Sequence, residues 1–210
     1  MRYYPALVNL KDKKAVVVGG GKVAERKVRH LINAGASVRL VSPDITNYLR
    51  KLTEKGLLEH IKRTYRSGDL NDAFVVIAAT SSTVLNTRIA REAKHLVNVI
   101  DMPSEGNYIV PSLVKRGPLT ITISTEGASP AISKAIRKEL EERYGKEFAH
   151  YLRFAEAVRK RAMEKIIDEK KREKFLKSLA SHELIDTLRT GGFRTTQKKI
   201  LSSLDCIINS

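Results

Sequence analysis

Apolar positions recur in two rhythms along the chain. Lys14-Ala15-Val16-Val17-Val18-Gly19 is an unbroken apolar run closed by glycine, the pattern of a strand buried on both faces of a parallel sheet. After it, Val23, Ala24, Val28, Leu31 and Ile32 recur at helical spacing with Glu25, Arg26, Lys27 and Arg29 between them. Gly35 stands where that helix should end. Val38-Arg39-Leu40-Val41 predicts a second strand. The alternation then continues. A helix is expected over 45–55, a short strand over 57–61, a strand over 74–79, a helix over 84–95 and a strand over 96–100. Such alternation predicts an α/β fold, a Rossmann-type doubly wound parallel sheet.

The rhythm changes after Asp101. Tyr108-Ile109-Val110 and 119–124 read as strands with no helix-length segment between them. They are expected to pair as an antiparallel hairpin or to add to another subunit's edge. From Ser129 the pattern is helical, over 131–143, 148–167, 175–188 and 196–208, with a break at Gly191-Gly192. The expected organisation is a sheet domain over 1–112, a small β region over 113–145 and a helical domain over 146–210.

Composition narrows the class. With 210 residues, 42% of them hydrophobic, the chain is expected to be globular. It holds no apolar run near the roughly 20 residues of a membrane span and no signal-peptide pattern, so a cytoplasmic protein is expected. A single cysteine, Cys206, precludes an internal disulfide or a cysteine-built metal cluster within the chain. The net charge of +16 suits an anionic partner or a generally basic, solvated surface. Basic residues number 20 in 1–130 and 19 in 131–210, so the excess is not a detachable nucleic-acid arm.

Candidate chemistry begins at the glycines. Gly19-Gly20-Gly21-Lys22-Val23-Ala24 follows a strand and opens a helix, the context of a dinucleotide-binding turn. Gly19 would permit the tight turn, Gly21 would let backbone approach a pyrophosphate, and Ala24 would keep helix close to strand. The helix N-terminus offers free N–H groups, with Lys22 and Val23 at its start. At the end of the second strand, where a ribose-binding acid is common, stand Ser42, Pro43 and Asp44. Ser42 could bond the ribose, and Asp44 either the ribose or, as a cap, the next helix. Ala79 and Thr80 end a further strand at the ligand edge; Thr80 is either a cofactor neighbour or part of a helix cap. Asp101 ends the next strand. It could serve as a general base, desolvated by apolar walls, or simply form the turn before Met102-Pro103. The N–H groups of the Ser124–Pro130 turn could hold a substrate carboxylate, or Ser129 could merely cap a helix opened by Pro130.

Four segments carry a family resemblance over about residues 3–145. They are Val18 to Lys27, Ala78-Ala79-Thr80 with Asn86, Val97-Asn98-Val99-Ile100-Asp101, and Ile123 to Pro130. Together they resemble the precorrin-2 dehydrogenase family, which includes the dehydrogenase/ferrochelatases of siroheme synthesis. The resemblance implies NAD-dependent oxidation of precorrin-2 to sirohydrochlorin. In some members Fe2+ is then inserted, which makes Fe2+ a candidate second substrate. It implies Asp101 as proton acceptor or macrocycle-orienting group, and Asn98, Ser124, Thr125 and Ser129 near the tetrapyrrole. It also implies a homodimer, with the region after Asp101 exchanging contacts between subunits. A tetrapyrrole polycarboxylate suits the basic charge, and neither nucleic acid nor membrane is expected as a partner. Ser81-Ser82 replace acidic residues common in the family, and Tyr108 stands where phenylalanine is usual. The five histidines show no metal-ligand spacing. The alternative is an NAD(H)-sensing regulatory module whose basic helical tail binds a partner or nucleic acid.

Overall fold

Strand β1 (Lys14–Val18) lies at the centre of a five-stranded parallel sheet, buried on both faces as its unbroken valines require. A computed structural model describes residues 3–209. They divide into two units, which meet in sequence between Val110 and Pro111.

In the first unit β1 leads through α1 (Lys22–Asn33) to β2 (Ser37–Val41), then through α2 (Asn47–Glu54) to β3 (Glu59–Ile61). The chain returns to the other side of β1 with β4 (Val75–Ala78), α3 (Thr83–Glu92) and β5 (Leu96–Val99). The sheet order is β3-β2-β1-β4-β5. One face packs Val17, Leu40 and Ile77 against Ala24, Val28 and Leu31 of α1 and Leu49 of α2. The other packs Val16, Val18, Val76 and Val97 against Ile89 of α3. Each such side chain contributes about 1.5–3 kcal/mol by leaving water. The sheet is thus wound on both faces, as expected. Gly35, at φ +81°, follows the last turn of α1 in a left-handed conformation. Lys27 also falls on the buried side of α1. Burial, with the neighbouring Arg26 charge, lowers its pKa to about 8.

The expected strand 108–110 does not form. Its apolar residues read as a strand, but their backbone is tied down by amides. Asn107 Oδ1 accepts from Val97 N at 2.8 Å, its Nδ2 donates to the His95 carbonyl oxygen at 2.6 Å, and its N–H donates to the Val97 carbonyl oxygen at 3.0 Å. Tyr108 packs against the sheet face that carries Val17, Leu40 and Ile77.

The second unit opens with an antiparallel hairpin, β6 (Ser112–Arg116) and β7 (Leu119–Ile123). It turns at Gly117, φ +57°, followed by Pro118. Among the described residues four helices follow: α4 (Pro130–Arg143), α5 (Glu147–Lys165), α6 (Glu169–Ser178) and α7 (His182–Ile208), the last broken at Gly192, whose φ of +73° is non-helical. The helix expected over 175–188 is interrupted because Asp168 caps α6 and Ser181 caps α7. The expected boundary near 145 falls inside this unit. Arg116 Nε donates to the Tyr144 carbonyl oxygen at 2.8 Å, and Leu119 joins a core of Phe148, Tyr151, Phe175, Leu188 and Leu204. No helix among the described residues is long and apolar enough to cross a membrane.

Candidate active site

The chain leaves β1 toward β2 on one side and returns on the other at β4. At this switch point the carboxyl ends of the strands open into a cleft of about 630 Å3. Gly19, Gly21, Lys22, Val23, Ser42, Pro43, Asp44, Ala79, Thr80 and Asp101 all line it.

The three glycines do different work. Gly19 has φ +115°, and a Cβ there would overlap the Ala79 carbonyl oxygen. A Cβ on Gly20 would overlap the Asp44 carbonyl oxygen and press on Ser42 Oγ at 2.7 Å. Gly19 and Gly20 are therefore demanded by packing. A Cβ on Gly21 would have no atom within 4 Å and would enter open space beside the cleft. Gly21 is thus bare where a ligand's phosphates would approach. It is also the N-cap of α1 with no side-chain bond, so the first-turn N–H groups keep their capacity for an anion.

The end of β2 does not use Asp44 as the cap of the next helix, the second of its two readings. Thr46 caps α2, accepting from Leu49 N at 3.3 Å. Its hydroxyl donates to Glu25 Oε2 at 2.6 Å, and its N–H donates to the Gly20 carbonyl oxygen at 3.1 Å. Sequence reading missed Thr46; the Thr-x-x before an apolar Leu49 was the available signal. Ser42 Oγ donates to the Asp44 carbonyl oxygen at 2.7 Å, so its hydroxyl hydrogen is committed. The Asp44 carboxylate is left exposed at the cleft.

The Thr80–Ser82 cluster does cap α3, through Ser82, whose own N–H donates to Thr80 Oγ1 at 3.2 Å. Thr80 Oγ1 donates to Asn86 Oδ1 at 2.7 Å, and the buried Asn86 amide returns a bond to the Thr80 carbonyl oxygen at 3.1 Å. This clamp fixes the turn after β4.

Thr64 and Tyr65 also line the cleft, and no local sequence signal pointed to them. Asp69 holds their loop. Its carboxylate accepts two bonds from Arg63, both at 2.7 Å, and one from Arg66 N at 2.8 Å. Arg63 keeps the Asp69 carboxyl below the usual carboxylate range, against the opposing effect of burial. The buried Tyr65 hydroxyl donates to Glu92 at 2.5 Å; burial foremost, then this bond, pushes the phenol pKa up.

Asp101 lies in a left-handed turn, φ +64°, before a 3-10 turn at Pro103–Glu105. It is both a turn residue, as one reading had it, and a residue of the cleft wall. The apolar enclosure expected around it is not supplied by this unit, for its side chain is exposed. Asn98 does not line the cleft. Its Nδ2 donates to the Tyr108 carbonyl oxygen at 3.2 Å, while Oδ1 is buried without a partner.

Ser124, Thr125 and Ser129 lie in the second unit. Ser124 Oγ accepts from Glu126 N at 3.1 Å, Thr125 Oγ1 accepts from Ser129 N at 3.2 Å, and Ser129 Oγ caps α4. Glu126 and Gly127 both have positive φ, and a Cβ on Gly127 would meet nothing within 4 Å. The cap expected at Ser129 is present, and the turn above it is open. Among the described residues no group of three or more His, Cys, Asp or Glu side chains is arranged to hold a metal ion.

Residues 6–112 match the model of a family described as putative NAD(P)-binding, and 116–143 match that of the sirohaem biosynthesis protein central region. The siroheme synthase of Actinobacillus pleuropneumoniae is 39% identical over 144 residues, 67% of this chain and 30% of its own. That of Pseudomonas paraeruginosa is 35% identical over 194 residues, 91% of this chain and 42% of its own. The chain therefore spans well under half the length of these relatives. Among solved structures, SirC, precorrin-2 dehydrogenase, superposes with a TM-score of 0.80 at 26% identity, covering 95% of this chain and all of that one.

Proposed function

Since the chain belongs to the precorrin-2 dehydrogenase family, the dehydrogenase module of siroheme synthases, we propose that it oxidises precorrin-2 to sirohydrochlorin with NAD+. The observation that carries this reading is the cleft itself. It joins a glycine turn, bare where phosphates would approach, to a carboxylate at the end of β5.

The residues present fit a dinucleotide. The α1 N-terminus with Gly21, Lys22 and Val23 would receive the pyrophosphate, Pro43 and Asp44 the adenosine ribose, and Ala79 and Thr80 the nicotinamide half. Bound there, NAD+ supplies a hydride acceptor. The oxidation of precorrin-2 would remove two hydrogens, one as the hydride that this acceptor would take and the other as a proton. Asp101 takes that proton or steers the macrocycle to lose it. Its exposure in the first unit means that the bound tetrapyrrole would bring the apolar enclosure. Ser124, Thr125 and Ser129, with the open Gly127 turn, would meet the substrate's carboxylates through N–H groups. Asn98 would act from behind, holding the Tyr108 segment. A homodimer in the cytoplasm is part of this proposal, as is Fe2+ insertion into the product.

The test is to mix the protein with precorrin-2 and NAD+ and follow NADH and sirohydrochlorin together. Equal yields of the two are expected; no NADH would reject the reading. Chelation is tested separately, by adding Fe2+ to sirohydrochlorin. A nucleotide-sensing module would bind NAD(H) with no use for Asp101, and would give no turnover.

A further inference from the structure

A second cavity adjoins the cleft at the end of β2. It measures about 310 Å3 and shares Pro43 and Asp44 with the cleft. Its other charged walls are Arg50 and Glu54 of α2, with Lys62 just after β3. We propose that this cavity takes the 2′-phosphate of NADP+, so that the protein uses either dinucleotide. The inference rests on the dinucleotide reading of the cleft.

Position is the first argument. The adenosine ribose of a dinucleotide lies outside the end of the second strand, and an acid there rejects a 2′-phosphate by charge. In this chain Ser42 holds that place, and its hydroxyl is turned onto the Asp44 carbonyl oxygen. Whatever extends from the 2′ carbon past Pro43 and Asp44 enters the second cavity.

Charge is the second. Among the described residues Arg50 and Lys62 have neither an ion pair nor a side-chain hydrogen bond, whereas Arg29, Arg39, Arg63 and Arg88 of this unit are paired with carboxylates. A guanidinium and an ammonium converging on one cavity suit a phosphomonoester: one binds in a planar fork, the other as a point charge. His60 shares the wall but its Nε2 is bonded to the Ser42 carbonyl oxygen at 2.8 Å, so it fixes the loop.

The carboxylates set the limit. Asp44 and Glu54 face the same space, two acids against two cations. The cavity therefore tolerates the phosphate without demanding it. With NAD+, Asp44 accepts the 2′-hydroxyl; with NADP+, its exposed carboxylate turns aside and the cations take over. This predicts dual use. Sequence could not show it, because Arg50 and Lys62 lie twelve positions apart on different elements and meet only in the wall of this cavity.

Calorimetry on the full chain tests this without the tetrapyrrole, using 5′-ADP and 2′,5′-ADP as probes. The wild type is expected to bind 2′,5′-ADP at least as tightly as 5′-ADP. Arg50→Gln combined with Lys62→Gln should weaken 2′,5′-ADP about tenfold or more and leave 5′-ADP within about twofold. The proposal is overturned if wild type binds 2′,5′-ADP over about tenfold more weakly than 5′-ADP. Equal weakening of both probes in the double variant would also overturn it. If neither probe nor NAD+ binds at all, the dinucleotide reading of the cleft fails first and takes this inference with it.

Discussion

The Thr46 hydroxyl donates to the Glu25 carboxylate at 2.6 Å while accepting from the N–H of Leu49, and so one side chain joins the first turn of α1 to the cap of α2. Its own N–H holds the Gly20 carbonyl oxygen. Thr46→Ala should cost about 1 kcal/mol from the cap alone. It should also loosen the phosphate turn, raising the NAD+ dissociation constant. Thr46→Ser should restore both. Chemical denaturation and calorimetry on the three proteins check this; an unchanged NAD+ affinity in the alanine variant would separate Thr46 from the turn.

Gly20 and Gly21 should respond in opposite ways. Gly20→Ala drives a methyl into the Asp44 carbonyl oxygen and should lower the melting temperature. Gly21→Ala meets no protein atom. It should melt like the wild type yet bind NAD+ about tenfold or more weakly, a loss of about 1.4 kcal/mol. Melting curves and NAD+ titrations of both variants decide the matter. A Gly21→Ala protein that binds normally would remove the pyrophosphate from this position.

Asp101→Asn should abolish precorrin-2 turnover while NAD+ affinity stays within about twofold, since the proposed pyrophosphate site is at the α1 N-terminus. Parallel rate and binding measurements test the division. Retained turnover would dismiss the carboxylate as proton acceptor.

Acid should unlock the Tyr65 loop. The Asp69 carboxyl is lowered in the folded protein, foremost by Arg63. The folded state therefore holds fewer protons at this site than the unfolded one as pH falls through the ordinary carboxylate value of 3.8. The stabilisation is full above that value and fades below it. Wild type should be more stable than Asp69→Asn at pH 6, and the gap should shrink as pH drops below about 3.8. Urea midpoints across that range give the answer; a constant gap would mean the charge is irrelevant.

Lys27 should behave in the reverse sense. Its pKa falls from 10.5 to about 8, so between these values the unfolded chain binds the extra proton and stability rises with pH. Below about 8 the folded protein carries the full cost of a buried ammonium. Lys27→Met should thus stabilise at pH 7, with the benefit vanishing above 10.5. Denaturation midpoints at pH 7, 9 and 10.5 read this directly. A variant that is destabilised at pH 7 would point instead to a bonded, favourable lysine.

The first half of the fold was legible because its signals were local. Four valine-rich or isoleucine-rich runs, a glycine turn and a C-terminal Gly35 each constrain backbone within a few residues. The cleft followed from the rule that ligands sit at strand ends, so Gly21, Asp44, Thr80 and Asp101 could be named in advance. What escaped depended on distant partners. Tyr65 reaches the cleft only because Arg63 and Asp69 fold its loop. Tyr108-Ile109-Val110 had a strand's composition, but Asn107 takes over the hydrogen bonds beside β5. Asp44 was as good a cap candidate as Thr46 by residue type; only the geometry of the turn chose between them. The break between α6 and α7 was written in Ser181, which the apolar periodicity overrode.

The bonds that Asn107 makes to β5 reach further than the loss of a strand. An open sheet leaves a row of free N–H and C=O groups at its rim, ready to template any extended chain. Here a side-chain amide and the backbone of 107–108 occupy both polar groups of Val97. At Val97 the rim is therefore closed to an added strand, and the exposed Asp101 carboxylate follows a strand whose outer border is not free to recruit another chain there.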